Sequence, residues 1–432
     1  MVLPLTSKTS PEGHLTIGGC DTVSLAKKYG TPLFVIDEEH VRKQCRRYKK
    51  AFRDLDERCE IIYAGKAFLS VAFLKVIMEE GLSLDVMSGG ELFVGMKAGF
   101  PAGKMYFHGN NKTPEELELA LGVDLGRFVV DSEIELERLD RMAGAVGKKV
   151  SILIRLTPGI HATTHDYIKT GTEDTKFGFS IASGAALDIT GKATEKANIK
   201  FMGYHAHIGS QILSLDAYEE TVEVLTDFIK QVEDELGCDV KELDVGGGLG
   251  IKYKSTDEPS GIEDFAGVIV GGIKRQAERH GIKTPKIMTE PGRSIVGSAG
   301  VTLYTIGTIK TVSESRTYVS VDGGMSDNLR PMLYGATYET LIANKADKGA
   351  TKTVSVAGKH CESGDILVED IKIPEPETGD ILVTPATGAY GYVMANNYNR
   401  QPRPAVIMVK DGSARVILRR ETYEDLLRLE EY

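Results

Sequence analysis

The chain has 432 residues, of which 41% are hydrophobic and 26% charged, and its formal net charge is −10 at pH 7. This length allows up to three domains, or one α/β barrel of ~250 residues with a further domain. No run of ~18 apolar residues and no typical secretory signal occurs, which disfavours membrane and secreted proteins, and the acidic balance disfavours nucleic-acid binding. We therefore expect a soluble cytoplasmic enzyme.

The cysteines indicate the same compartment. Their number is odd, they are scattered, and no C-x-x-C pair occurs among Cys20, Cys45, Cys59, Cys238 and Cys361. A disulfide framework would need an even number of cysteines, and a metal site would need closely spaced pairs of them. We therefore interpret all five as reduced thiols.

Short apolar runs alternate with helix-length segments through the first two thirds of the chain. The strand candidates are residues 61–64, 84–87, 105–108, 128–131, 150–156, 201–208, 242–245 and 286–289. Repeated strand-helix units imply parallel strands with right-handed crossovers, and about eight units predict an α/β fold with a closed (β/α)8 barrel of the TIM type over residues 38–296. Because periodicity cannot show closure, an open doubly wound sheet is the alternative.

The pattern becomes β-rich after residue 296. Short strand candidates separated by turn residues occupy 301–312, 316–324, 366–376, 380–391, 404–412 and 414–420. We predict a second, all-β domain of residues 297–432 that includes residues 1–37 and a possible strand at 33–37. Alternatively, the N-terminal segment packs against the first barrel unit.

Residues 157–198 interrupt the barrel pattern. We predict a loop here, because the segment is longer than a barrel connection requires. Insertions of this length are usually active-site elements or disordered.

Residues able to do chemistry follow the predicted barrel strands, at the end where barrel enzymes carry their active sites. In chain order they are Lys66, Asp85, Ser88, Glu91, His108, Arg155, His205, His207, the glycines at 246–248, Glu290 and Arg293. Any one of them could be structural, and their joint position on one face is the argument for a site.

Two of these features suit a phosphorylated carbonyl cofactor. Lys66 is a surface lysine in the simplest interpretation, but a lysine buried in a barrel mouth has a lowered pKa and can form a Schiff base. The loop at 246–250 forms either a tight turn or a phosphate cradle of exposed backbone N–H groups, to which Ser210 could add a hydroxyl. It is not a dinucleotide fingerprint, because Ile251 occupies the third glycine position.

The remaining strand-end groups point to an aromatic ring. His205 and His207 face the same side of a strand, which permits metal ligation, but we find no further set of residues at other strand ends to complete a metal site. We therefore favour one buried histidine and one that stacks on a flat ligand. Glu290 is a structural carboxylate or the partner of a pyridine nitrogen. Together these residues fit pyridoxal 5′-phosphate, with no metal.

The β-rich region adds three patterns. Arg330 and Tyr334 stand at helical i, i+4 spacing, and residues 387–399 are dense in glycine, tyrosine and asparagine. Cys361 stands beside Glu362; a free cysteine is usually buried, but the acids that flank this one favour a protonated thiol that could act as an acid.

The order of seven motifs resembles the diaminopimelate decarboxylase family, within the fold type III, alanine-racemase-like class of pyridoxal-phosphate enzymes. The motifs are YAGKA, HAHIGSQ, GGGLG, EPGRS, RPMLYG, CESGDIL and GAYGYVMANNYN, and the resemblance runs from about Thr31 to the C-terminus. One departure is Phe68, which replaces the asparagine of the usual K-A-N motif and implies altered packing near the cofactor.

The resemblance implies a function for each motif. Lys66 binds the cofactor covalently, His207 stacks on its ring, Glu290 pairs with the ring nitrogen, and the phosphate contacts Ser210, Gly247, Gly248, the turn with Gly292 and Arg293, and Tyr390. Arg293, Arg330, Tyr334 and Tyr390 bind substrate, Glu362 binds its distal amine, and Cys361 protonates the carbanion. A homodimer is implied, in which Cys361 and Glu362 reach the partner's active site.

The reaction implied is decarboxylation of meso-2,6-diaminopimelate to L-lysine, the last step of lysine biosynthesis. Ornithine, lysine or arginine decarboxylases share the fold, but their substrates would leave Arg330 and Tyr334 without a carboxylate. Alanine racemase would place an arginine where Glu290 stands. A binding protein without catalysis would have lost Lys66 or Cys361, and both are present.

Overall fold

The computed structural model describes residues 2–160, 176–313 and 316–431. Two compact units are present, and we call them the barrel unit (Cys45–Gly250 and Pro259–Gly292) and the sheet unit (Met1–Gln44, Ile251–Glu258 and Arg293–Tyr432). Within the described ranges, no helix is both long and apolar enough to cross a membrane. The domain boundaries given by the sequence, after residues 37 and 296, stay a prediction.

The barrel unit contains the predicted closed barrel. Its eight parallel strands are, in order, Glu60–Ala64, Ser83–Val86, Met105–Phe107, Arg127–Val130, Val150–Thr157, Ile199–Ala206, Glu242–Asp244 and Lys286–Thr289. Each strand pairs with the next, and the eighth pairs with the first through Met288 and Glu60. The barrel is therefore confirmed, and the open sheet is wrong.

Large side chains fill the barrel interior, so the barrel is a packed core and not a pore. They form one buried cluster, which comprises Ile62, Tyr106, Val129, Leu153, Met202 and Met288. Groups at the carboxyl ends of the strands therefore stand on a rigid platform.

Helices follow the strands as the alternating pattern predicts. They are Glu38–Arg53, which precedes the first strand, and then Val71–Glu79, Gly89–Ala98, Pro114–Gly122, Glu133–Ala145, Ala185–Glu195, Asp216–Leu236, Ile262–Ala266 and Gly272–His280. The side chains of Ser70, Ser88, Thr113 and Ser132 cap four of them by accepting hydrogen bonds from backbone N–H groups of the first turn. Such caps fix where each helix starts after its strand.

The loop predicted over 157–198 is wrong for part of its length. The structure places the strand Phe179–Ser180 and the helix Ala185–Glu195 there, and residues 161–175 lie outside the described residues. The buried face of this helix consists of Ala186, Ile189, Thr190 and Ala193. Because only one of these side chains is large and apolar, the helical period is weak in the sequence.

The sheet unit confirms that the N-terminal segment joins the β-rich domain. The strand Leu33–Asp37 pairs antiparallel with Gly300–Ser313 and parallel with Ala405–Lys410. The other strands are Lys8–Thr9, Leu15–Ile17, Cys20–Asp21, Arg316–Val321, Leu341–Ile342, Lys352–Ala357, Ile366–Ile373, Ile381–Pro385 and Ser413–Leu418. Short helices are added at Thr22–Tyr29, Arg293–Val296, Arg330–Tyr334 and Tyr423–Leu427.

Candidate active site

Lys66 lies on a one-turn helix, Gly65–Ala67, directly after the first barrel strand. Its Nζ donates a hydrogen bond of 3.0 Å to Oδ2 of Asp85, which is buried on the second strand. The Lys66 side chain is 33% exposed, so the lysine is not deeply buried as a desolvated amine would be. The neighbouring carboxylate holds the ammonium group at the barrel mouth.

Glu290 follows the eighth strand and is contacted by imidazoles from two other strands. Nε2 of His205 lies 3.2 Å from Oε2 of Glu290, and Nε2 of His108 lies 2.7 Å from Oε1. The two imidazole rings pack edge to face, with centroids 4.7 Å apart. All three side chains are buried.

These contacts determine the protonation of a second acid, Asp244, at the end of the seventh strand. Burial by itself would raise the pKa of Glu290, but His108 and His205 hold that pKa well below its ordinary range. Burial and the adjacent Glu290 raise the pKa of Asp244 well above its ordinary value. Burial lowers the pKa of His205 to about 4. Near neutral pH the site therefore holds Glu290 as a carboxylate and His205 as a neutral imidazole, while Asp244 is shifted toward its protonated form.

His207 and the glycine loop form the next part of the barrel mouth. His207 is half-buried just past the end of its strand, burial lowers its pKa well below the ordinary value, and its Nδ1 accepts a hydrogen bond from the N–H of Gly247. A Cβ at Gly247 would lie 2.1 Å from the carbonyl oxygen of Glu290, and Gly248 has a φ of +105°. Only glycine fits this loop, whose backbone is left free of side chains, as a phosphate cradle requires.

Three further strand-end residues have structural explanations. Ser88 caps the helix Gly89–Ala98, and Glu91 accepts a hydrogen bond from the backbone N–H of Met87. Burial raises the pKa of Glu91 to about 7. Arg155 is buried and forms an ion pair of 3.7 Å with Asp131.

A metal ion is the alternative occupant of the histidine cluster. Ligand atoms of His108, His205 and Glu290 lie within 4.8 Å of one another, a set that the sequence analysis did not assemble. The imidazole–carboxylate contacts already engage both oxygens of Glu290, which favours the metal-free interpretation. That interpretation stays a prediction.

In the sheet unit, Arg293 and Arg330 are surrounded by phenol groups. Nη1 of Arg330 donates a hydrogen bond of 2.5 Å to the hydroxyl of Tyr338, and its guanidinium lies 4.7 Å from the ring centroid of Tyr253. Arg293 donates to the hydroxyl of Tyr253 and lies 4.7 Å from the ring centroid of Tyr390.

Arg330 is a buried cation whose partners among the described residues are neutral phenols. It is only 6% exposed, and no carboxylate among the described residues forms an ion pair with it. A buried guanidinium with only neutral partners favours an anion, and its planar fork suits a carboxylate. Tyr334 lies one helical turn from Arg330, as predicted, and is half-buried.

Cys361 lies on the surface of the sheet unit. Its side chain and that of Glu362 are exposed, and its backbone N–H donates to Oδ1 of Asn399. The ordinary expectation of a buried cysteine is therefore wrong here. All five cysteines lie in the described ranges and none is paired with another there.

Comparison with known proteins identifies the family. A family profile described as "Pyridoxal-dependent decarboxylase, pyridoxal binding domain" matches residues 38–297. The chain is 47% identical to the diaminopimelate decarboxylase of Bacillus subtilis (strain 168), over 100% of this chain and 98% of that protein. It is also 47% identical to the diaminopimelate decarboxylase of Bacillus methanolicus, over 96% of each. The chain belongs to the diaminopimelate decarboxylase family.

A solved structure of a diaminopimelate decarboxylase supports this assignment. The protein from M. jannaschii, determined in co-complex with L-lysine, is 32% identical with a TM-score of 0.93, and the match covers 100% of this chain and 99% of that one. The match to the pyridoxal-binding domain confirms the cofactor that the strand-end residues predicted.

The departure from the K-A-N motif of diaminopimelate decarboxylases is accommodated in the core. Phe68 is 1% exposed, its ring packs edge to face on Phe73, and its carbonyl accepts a hydrogen bond from the hydroxyl of Tyr63. The substitution thus changes the packing behind Lys66 and leaves the lysine in place.

The sequence predicts no function for five residues of the site. Asp85 and His108 are recognisable only as strand ends, and no motif singles out Asp244, Tyr253 or Tyr338. Tyr253 stands shortly after the glycine loop and Tyr338 shortly after the helix Arg330–Tyr334. Proximity to motifs in the chain was the only available signal.

Proposed function

We propose that the protein decarboxylates meso-2,6-diaminopimelate to L-lysine with pyridoxal 5′-phosphate. The observation that carries this proposal is the arrangement at one end of a closed barrel of Lys66, held by Asp85, and a buried, ionised Glu290. When bound, the cofactor supplies an electron-accepting ring for the electrons released as the Cα–carboxylate bond breaks. The residues of this chain bind it, orient it and move protons.

Each cofactor-binding function follows from the chemistry of its residue. Lys66 would form the covalent bond to the cofactor, and the neutral imidazole of His207 would stack on its ring. Glu290, as a carboxylate, would accept the N–H of a protonated pyridine. The phosphate would be bound by Ser210, by Gly247, Gly248 and the turn with Gly292 and Arg293, and by Tyr390.

Substrate recognition would use the charged groups of the sheet unit. Arg293, Arg330 and Tyr334 would bind the distal carboxylate, with Tyr390 beside them, and Glu362 would bind the distal amine. After carbon dioxide leaves, the thiol of Cys361 would donate the proton that takes its place at the same carbon. Decarboxylation and protonation together give L-lysine.

The substrate assignment is tested by carbon dioxide release from four amino acids. We expect meso-diaminopimelate to be preferred over L-lysine, L-ornithine and L-arginine by ~10⁴-fold in kcat/KM, because a site built to bond a charged group rejects analogues that lack it. Preference for any of the three others would contradict the assignment.

We further propose a cytoplasmic homodimer with shared active sites. Support comes from the exposure of Cys361 and Glu362 beside an apolar surface on the sheet unit: Met332, Leu333, Val393 and Tyr398 are all at least 40% exposed. Apolar exposure of this kind is typical of a protein interface. A second copy of the chain is the occupant that we propose for this surface, and it would place the Cys361 thiol in the partner's active site.

Subunit mixing tests the shared site. Lys66→Ala and Cys361→Ala proteins are each expected to be inactive, but an equilibrated mixture should recover about a quarter of wild-type activity, because half the dimers then contain one intact site. Cys238→Ala serves as the control and should stay active when mixed with either partner. No recovery despite demonstrated subunit exchange would contradict sharing.

A further inference from the structure

The cluster around Glu290 contains two residues whose function the reaction scheme leaves open. We propose that His108 and His205 are positioning residues that fix the orientation of the Glu290 carboxylate. This inference rests on the proposed function, in which Glu290 pairs with the pyridine nitrogen.

The geometry assigns one imidazole to each carboxylate oxygen. His205 Nε2 forms a hydrogen bond of 3.2 Å with Oε2, and His108 Nε2 lies 2.7 Å from Oε1 in an ion-pair contact that lacks the alignment of a hydrogen bond. Each carboxylate oxygen therefore faces one imidazole, which restricts rotation of the carboxylate plane. The edge-to-face packing of the two rings, 4.7 Å between centroids, restrains each imidazole against the other.

The surroundings explain why such a clamp is needed. Glu290 is 3% exposed, and a buried carboxylate without compensating partners becomes protonated. Asp244 and Asp85 are buried nearby and add negative charge, while Arg155 is a cation that acts on His205 and Glu290. A protonated Glu290 would be a weaker acceptor without the negative charge that stabilises a pyridinium N–H, so the reaction requires contacts that keep it ionised.

The hydrogen-bond pattern of His205 fixes which nitrogen bears the proton. Nδ1 of His205 is buried and has no hydrogen-bond partner among the described residues. The proton of the neutral ring therefore belongs on Nε2, from which it is donated to Oε2 of Glu290.

The test compares variants that keep or remove the donor at the Nε2 position. His108→Gln and His205→Gln retain an N–H donor, whereas His108→Leu and His205→Leu do not. With ¹⁵N-labelled pyridoxal phosphate, we expect the pyridine nitrogen shift of the wild type and Gln variants to be that of a protonated ring. The Leu variants should move toward the unprotonated shift, with kcat reduced by about 10- to 100-fold and KM little changed.

The matched control is His280→Gln, because His280 pairs with Asp227 2.7 Å away on the helices outside the barrel. It should leave both the shift and kcat unchanged. Leu variants with a wild-type shift and wild-type kcat would overturn the inference, whereas a wild type that binds no cofactor or releases no carbon dioxide would overturn the proposed function instead.

A measurement on the apoprotein tests the same inference without the His108→Leu and His205→Leu variants, and so does not depend on whether those variants fold. Wild-type apoprotein should show a hydrogen-bonded Nε2–H signal from His205 that is lost in Glu290→Leu, which removes the acceptor. An unprotonated Nε2, or a stoichiometric metal ion that Glu290→Leu releases, would contradict the clamp, because a metal would occupy the lone pairs that it uses.

Discussion

Lys66→Ala is expected to abolish covalent cofactor binding and to lower kcat by about 10³-fold or more. The lysine is a partly exposed amine held at the barrel mouth by a buried carboxylate, through its 3.0 Å hydrogen bond to Asp85. Losing it removes both the covalent attachment and a group able to move a proton, and such proton transfer alone contributes ~10²–10⁴-fold. The measurements are the visible absorbance of the bound cofactor and carbon dioxide release.

A matched lysine separates this effect from a general loss of charge. Lys104 is exposed in the same unit, and Lys104→Ala should keep the absorbance and the activity. Borohydride treatment should fix the cofactor on Lys66 in the wild type and in Lys104→Ala, but not in Lys66→Ala. Labelling at another residue, or retained activity in Lys66→Ala, would show that Lys66 is not the attachment site.

Arg330→Met is expected to lower kcat/KM for meso-diaminopimelate by about 10²-fold, chiefly through KM. Removing one partner of a buried charge pair costs ~2–5 kcal/mol, and each ~1.4 kcal/mol is tenfold. The guanidinium is 6% exposed and is oriented by Tyr338 and Tyr253, so no other described group can replace it. Tyr338→Phe should give a smaller increase in KM, because it removes only the orienting hydroxyl.

Ligands with and without the carboxylate make this prediction specific. L-lysine as product keeps the distal carboxylate, so its inhibition constant should rise in Arg330→Met. Pentane-1,5-diamine lacks that group and should bind the variant and the wild type alike. Arg316→Met, at an exposed arginine of the same unit, is the control. Equal weakening of both ligands would mean that Arg330 maintains the fold and does not bind the carboxylate.

The sequence predicted those parts of the fold that repeat. Eight apolar runs separated by helix-length segments were enough to predict the barrel. Short parallel strands are buried on both faces, so they appear in the sequence as continuous apolar runs and not as alternating apolar and polar residues. The segment Lys352–Ala357 was missed as a strand and Ala185–Glu195 as a helix, because small or polar side chains weaken the period in both.

Site residues were predictable where a motif carried them. Lys66, His207 and Glu290 stand in recognisable motifs, whereas the pairing of His108 with Glu290 joins residues far apart in the chain. Barrel closure brings those two strand ends together, and no local pattern encodes the distance. The exposure of Cys361 agrees with the resemblance and not with the ordinary behaviour of free cysteines, because burial depends on the surface around a residue more than on its neighbours in the chain.

The strand Leu33–Asp37 has a consequence for synthesis on the ribosome. Both of its neighbours in the sheet come from much later in the chain, at Gly300–Ser313 and Ala405–Lys410. All five of its residues are buried once paired, so the nascent chain carries an apolar strand with at least one unpaired edge until residues 405–410 have been made. The barrel unit, whose last strand is Lys286–Thr289, can fold during that interval, and the waiting strand is where a stalled chain would aggregate.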